Sequence, residues 1–401
     1  MNTPDSSREA APRRLASIDA YRGVVMFLMM AEVLQLCEVA KRLPTSAFWK
    51  FLCHHQTHVA WSGCSLHDLI MPSFCFLVGV ALPFSIASRR ARGQTLRDMA
   101  RHTVTRVLLL ILVGTVIASA HPHRLTWPFD WVLPQIGLGY GFLFLLGLRP
   151  VRDAWIALGV ILVGYWLAFA LYPLPGPDFD YAKVAVSDQW LQEHGLRGFA
   201  AHWQKNSHLA WAFDVWLLNL FPRDAPFNSF ANGLATLNFI PTLATMILGL
   251  IAGGILRGDR PPWAKVRWFA VAGVAGLAGG LLLEALGVCP IVKWVWTSSW
   301  VLFSGGWCFL LLAAFYVIVD LWQQQRPAFP FIVIGMNSIA AYCISHLYSA
   351  FAFNSLRRIF GREIFKLFGD AYDPLVYGGV VLLLMWLALL YLYRVKLFLR
   401  I

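Results

Sequence analysis

Residues 54–79, HHQTHVAWSGCSLHDLIMPSFCFLVG, set His54, His55, His58, Trp61, His67 and Asp68 directly ahead of a long apolar run. Ionisable side chains at the mouth of a membrane span are functional candidates, because desolvating them is costly and needs a reason. Histidine changes charge near neutral pH, so His58 suits the role of proton acceptor or acyl acceptor. Asp68 can orient His58 or a neighbouring histidine and raise its basicity, or it can merely start the next helix favourably with respect to the dipole. Trp61 can stack on a sugar face or anchor the interface. His54 and His58 are four apart, as two ligands on one helical face would be, but no third ligand follows at a defined spacing and the glutamate of HExxH is missing. No metal is expected.

The elements that hold these residues are membrane helices. The chain has 401 residues, 58% hydrophobic and only 13% charged, with mean hydropathy +0.60. That is far too apolar for a soluble domain, and it implies an all-α polytopic transmembrane helix bundle forming a single integral membrane domain over residues 1–401. Apolar runs of near-bilayer length occur at about 20–40, 68–88, 104–120, 133–148, 153–173, 236–256, 265–287, 298–319, 330–352 and 374–394, about 10 spans, or 11 with one interfacial stretch. The formal charge of +12 comes from basic residues dispersed in short loops, which reads as a topology signal and not as a nucleic-acid surface.

With residues 1–14 as a cytoplasmic tail lacking a cleavable signal, the arginines of 88–106, the basic residues of 257–267 and the carboxyl-terminal Arg394, Lys396 and Arg400 share the inner face. Both termini are then cytoplasmic, as in a bacterial inner membrane. The outer face receives the loop 41–67, the long segment 174–235 and most of the histidines. Residues 353–373, with Arg357, Arg358, Arg362 and Lys366, also fall outside, against the charge rule.

Seven cysteines occur with no CxxC pair, which excludes zinc ribbons and thioredoxin chemistry at the motif level. Cys53 and Cys64 bracket His58, and a disulfide between them would stiffen that loop on an oxidising face. Asp19 and Arg22 lie three apart at the inner end of the first span, as an ion pair or with Arg22 meeting a phosphate, helped by the arginines of 88–106.

Five ordered blocks of this sequence resemble the heparan-alpha-glucosaminide N-acetyltransferase family and its bacterial relatives. The first is Ser17, Ile18, Asp19, Ala20, Tyr21, Arg22 and Gly23, followed after a span by His58, Trp61, Gly63, Asp68, Leu69, Pro72, Phe74, Phe76, Val78 and Gly79. Residues 206–214 (NSHLAWAFD), 233–249 (GLATLNFIPTLATMILG), 297–306 (TSSWVLFSGG) and 335–339 with Tyr342 continue the match in order.

The resemblance implies a transmembrane transfer in which acetyl-CoA, supplied from the cytosol, gives its acetyl group to the amino group of a sugar or glycan on the far side of the lipid bilayer. The histidine at position 58 is then catalytic, either acylated or acting only as a base. On this reading Asn337 donates a hydrogen bond at the reacting centre, or else bridges two helices. Asp19, Arg22 and Gln135 serve the acetyl-CoA. Trp61, Asn206, Asp214 and His346 shape the acceptor site, and a homodimer is one assembly open to the chain.

Two positions depart from the family. Glu32 and Val33 stand where relatives carry an asparagine late in the first span, and Leu133, Pro134, Gln135 and Ile136 lack the arginine of a Leu-Gln-Arg-like element. The competing reading is a transporter of sugars or lipid-linked glycans, which would move its substrate without consuming acetyl groups.

Overall fold

The computed structural model describes residues 15–120, 125, 127–223, 225–230, 234–361 and 363–399. The tail 1–14, His121, His123, Asn232, Gly233, Arg362 and Arg400 lie outside the described residues. Fifteen α-helices follow in order: α1 (Ala16–Met30), α2 (Leu36–Arg42), α3 (Ala47–Gln56), α4 (Ile70–Ala91), α5 (Leu96–Ala118), α6 (Val132–Gly147), α7 (Val151–Ala170) and α8 (Asp188–His194). Then come α9 (Leu209–Leu218), α10 (Phe239–Arg257), α11 (Pro262–Ala285), α12 (Ser298–Phe315), α13 (Gln325–Met336), α14 (Ser338–Phe360) and α15 (Asp373–Arg394).

The protein is an all-α polytopic membrane protein. Seven helices are long and apolar enough to cross a bilayer, and the count reaches nine if the bent pairs α1–α2 and α13–α14 each form one span. The tenth expected span is α6, with 16 residues. At 1.5 Å per residue it reaches about 24 Å, short of a hydrocarbon core of about 30 Å.

Small residues let the helix backbones touch, the means of association left when lipid tails are as apolar as leucine. A Cβ on Gly79 of α4 would run into the Met246 carbonyl of α10, and one on Gly249 would run into that of Phe76. Gly23 of α1 and Gly335 of α13 make the same reciprocal approach, to Phe331 and Asp19. These pairs join sequence blocks that lie far apart in the chain, and they carry α1, α4 and α10 into the centre of the bundle.

Both bent pairs break at a polar residue. Between α1 and α2, Gln35 adopts a left-handed φ of 50°, and Gln56 at the end of α3 satisfies the break, its Oε1 accepting from Leu36 N at 2.7 Å and its Nε2 donating to the Ala31 carbonyl at 2.6 Å. A disulfide joins Cys37 to Cys53, tying α2 to α3. The expected Cys53–Cys64 bridge is therefore corrected: Cys64 is free, because α3 lies back along α2 and brings Cys53 to its neighbour there. Between α13 and α14, Asn337 interrupts the helix and the axis turns by 71°.

Residues 174–235 fold over one end of the bundle around a second apolar cluster that includes Trp61, Tyr165, Phe169, Trp203, Cys289, Val292 and Val295. The basic residues of 353–373 that oppose the charge rule are engaged locally. Lys366 pairs with Glu363 at 2.9 Å and Asp370 at 3.4 Å, and the Arg357 guanidinium lies over the Tyr377 ring.

Candidate active site

His58 stands just beyond α3, in the loop that leads into α4, and a second loop holds it there. Residues 62–63 pair with 291–292 through an isolated antiparallel bridge, with Gly63 N donating to the Ile291 carbonyl at 3.0 Å. Trp294 Nε1 donates to the Val59 carbonyl at 3.0 Å. Thr297 caps α12 and its Oγ1 also accepts from Val292 N at 3.1 Å, which fixes the far end of the second loop. Lys293 is thereby delivered to His58.

His58 Nδ1 lies 2.7 Å from Asp68 Oδ1. Two atoms that each presented a lone pair would not approach so closely, so Nδ1 carries the proton and donates to the carboxylate, and Nε2 keeps the lone pair. Asp68 is fully buried. Its Oδ2 accepts from Ser65 N at 2.9 Å, Ser65 Oγ at 3.0 Å and Val59 N at 3.2 Å. The buried Lys293 ammonium donates to Oδ1 at 3.1 Å and also comes within 2.8 Å of His58 Nδ1. With Nδ1 already donating to Asp68, that second approach places a positive charge against the ring without a hydrogen bond.

These groups border a cavity of about 380 Å³. His58, His67, Glu32, Asp130, His346 and Lys293 supply its polar wall, and Trp131, Trp294 and Tyr342 its aromatic one. His67 Nε2 pairs with Glu32 Oε1 at 3.0 Å, and the His58 and His67 rings lie 4.5 Å apart. Burial holds the His58 pKa below the usual histidine value; the bond to Asp68 opposes this, and the Lys293 charge reinforces it. Burial also pulls Lys293 down, against the Asp68 carboxylate, and pushes the Asp130 carboxyl up to about 6.

A second cavity, of about 460 Å³, adjoins the first along α1, α4, α6 and α14. Asp19, Arg22, Ser85, Ser88, Arg106 and Ser338 line it among apolar residues. Arg106 donates to the Tyr140 hydroxyl at 2.9 Å and lies over that ring, while its Nε is buried with no hydrogen-bond partner. Arg22 and Asp19 stand 3.6 Å apart.

No protein-family model matches the chain. The human (Homo sapiens) heparan-alpha-glucosaminide N-acetyltransferase is 25% identical over 378 residues, covering 83% of this chain and 53% of the human one. The mouse (Mus musculus) protein of the same name is 26% identical over 381 residues, covering 84% and 54%. The chain is a relative of these N-acetyltransferases. It spans about half the length of the curated relatives it matches.

Within this relative of the N-acetyltransferases, the expected site residues divide. His58, Asp68 and His346 meet at the first cavity, and Asp19 and Arg22 at the second. The others sit elsewhere, each for a visible reason. Trp61 is buried, its Nε1 donating to the Trp203 carbonyl at 3.1 Å, so it packs the second apolar cluster and offers no face to a sugar; Trp294 and Trp131 do. Asn337 does not reach His58: its amide clamps the carboxyl-terminal stretch, donating to the Leu397 carbonyl at 2.9 Å and accepting from Leu399 N at 3.0 Å.

Gln135 serves no cofactor cavity. Its amide donates to the carbonyls of Phe129, Ala235 and Thr236. Asn206, at a left-handed φ of 53°, donates to the Val184 and Phe230 carbonyls and accepts from Phe230 N, knitting residues 184–230 together. Asp214 accepts from the Thr236 amide at 2.8 Å and supports the cap from below.

Lys293 was missed. Its sequence signal is a single lysine in the apolar loop CPIVKWVW, on the face where basic residues are not expected.

Proposed function

We propose that this chain transfers an acetyl group from acetyl-CoA on the cytoplasmic side to an amino or hydroxyl group of a sugar or glycan on the opposite side. The observation that carries this reading is the 2.7 Å His58–Asp68 hydrogen bond in the wall of a cavity, adjoining a second cavity furnished with arginines. The arginine distribution puts the second cavity at the cytoplasmic end. The unpartnered, buried Arg106 Nε and the neighbouring Arg22 fit a phosphate-bearing donor.

Acetyl-CoA supplies an acetyl thioester. His58 Nε2 takes the proton from the acceptor nitrogen as the new C–N bond forms and the C–S bond breaks, and returns it to the departing sulfur. As acyl acceptor, His58 Nε2 instead takes the acetyl first and then gives it to the acceptor amine. In both versions Asp68 holds the ring and balances the charge that develops on it. Glu32 and Asp130 suit an amino group on the acceptor, and Trp131 and Trp294 suit its ring.

Radiolabelled acetyl transfer by purified protein in liposomes, measured over a panel of amino sugars, tests the proposal. Transfer by the native chain that is lost in His58→Ala with CoA binding retained supports it. A native chain that binds no CoA and labels nothing overturns it in favour of transport.

A further inference from the structure

Lys293 stands 235 residues from His58 in sequence and against its ring in space. Its side chain is 5% exposed and that of Asp68 0%, so each charge depends on the other for solvation. An aspartate alone beside a histidine favours the imidazolium; an aspartate already paired with an ammonium favours it far less, because the pair is close to neutral. The other titratable groups facing His58 are His67, itself paired with Glu32, and, across the cavity, Asp130 and His346. None of these is printed within hydrogen-bonding distance of either nitrogen of the His58 ring, whereas the Lys293 ammonium touches both the ring and its carboxylate partner.

We propose that Lys293 is a positioning residue: by sharing Asp68 Oδ1 with His58, it keeps the imidazole neutral, with the proton on Nδ1 and the lone pair on Nε2. The role rests on the functional reading above, and gives it a base that stays ready at mildly acidic pH. Lys293 does not itself touch the reacting atoms. It acts through Asp68 and through its charge.

The test reads His58 directly. Diethylpyrocarbonate modifies only unprotonated imidazole, and the His58 side chain is 37% exposed, so the pH dependence of its modification, followed on the His58 peptide by mass spectrometry, gives its titration midpoint. In the native protein the midpoint is expected below that of a free histidine peptide. Lys293→Met and Lys293→Gln should raise it by roughly 1–3 pH units, and Lys293→Arg should restore most of the native value. The acid limb of acetyl transfer should move with it. A native midpoint at or above the free peptide's, an unmoved midpoint in the neutral variants, or an equal rise in Lys293→Arg overturns the proposal. Gel filtration in detergent checks that each variant is folded, and the native-against-peptide comparison decides alone if the neutral variants are not. Because modification needs no acetyl transfer, failure of the acetyltransferase reading leaves this result legible.

Discussion

The His58 cavity and the Arg22 cavity are lined by the same four helices, but their polar groups are arranged to opposite effect. Around His58 the ionisable groups are bound to one another: His58 to Asp68, Asp68 to Lys293, His67 to Glu32. Around Arg22 the charges are cationic and directed at open space, with a buried guanidinium nitrogen left without a partner. A group that must move a proton is held by partners that define its proton inventory, whereas a group that must hold an anion keeps donors in reserve. The first arrangement suits reaction and the second suits binding.

The sharpest way to break that contrast is to exchange its consequences. His58→Ala should lower the turnover of acetyl transfer by about 10²–10⁴-fold while leaving acetyl-CoA binding, read by equilibrium dialysis, within experimental error. Arg106→Gln should do the reverse, raising the KM for acetyl-CoA by roughly 10–100-fold with turnover little changed, since a charged hydrogen bond contributes about 1.5–3 kcal/mol. If both variants lost turnover equally, the division into a reacting and a binding cavity would fail.

Two stability measurements sharpen the comparison by asking what supports the His58 side. Cys37→Ser should cost about 3 kcal/mol of stability by the loop-entropy argument and abolish a mobility shift on non-reducing gels that Cys64→Ser leaves intact. The smallest effect is expected at Asp214. Burial holds its carboxyl at about 6, above its unfolded value of about 3.9. The native state therefore keeps its proton longer than the unfolded one, and its contribution to stability falls as pH rises from about 4 to about 6. Asp214→Asn should remove roughly 2 kcal/mol of that dependence, visible as a flatter pH profile of thermal unfolding.

Much of the architecture was legible in the residues, because desolvation acts locally. Runs of apolar residues near bilayer length announce helices whatever their neighbours, and each of the ten expected stretches contains one. The count itself was less secure: α6 is too short, and the breaks at Gln35 and Asn337 depend on which side chains arrive to satisfy the exposed backbone. At the site, His58 and Asp68 were legible because they lie ten residues apart at the mouth of one span, within reach through a single loop. Trp61 shares that loop and was still misjudged, since its burial depends on Trp203, 142 residues away.

By itself, then, the sequence determined the medium, the class of helical bundle and the pairing of His58 with Asp68, all consequences of composition or short spacing. Tertiary structure alone decided that Lys293 completes the dyad, that Cys37 and not Cys64 takes Cys53, and that Asn337 and Gln135 hold backbone carbonyls in place of substrates. Those outcomes rest on contacts that form only when distant helices pack through glycine, and polar side chains take the partners such packing brings within hydrogen-bonding distance.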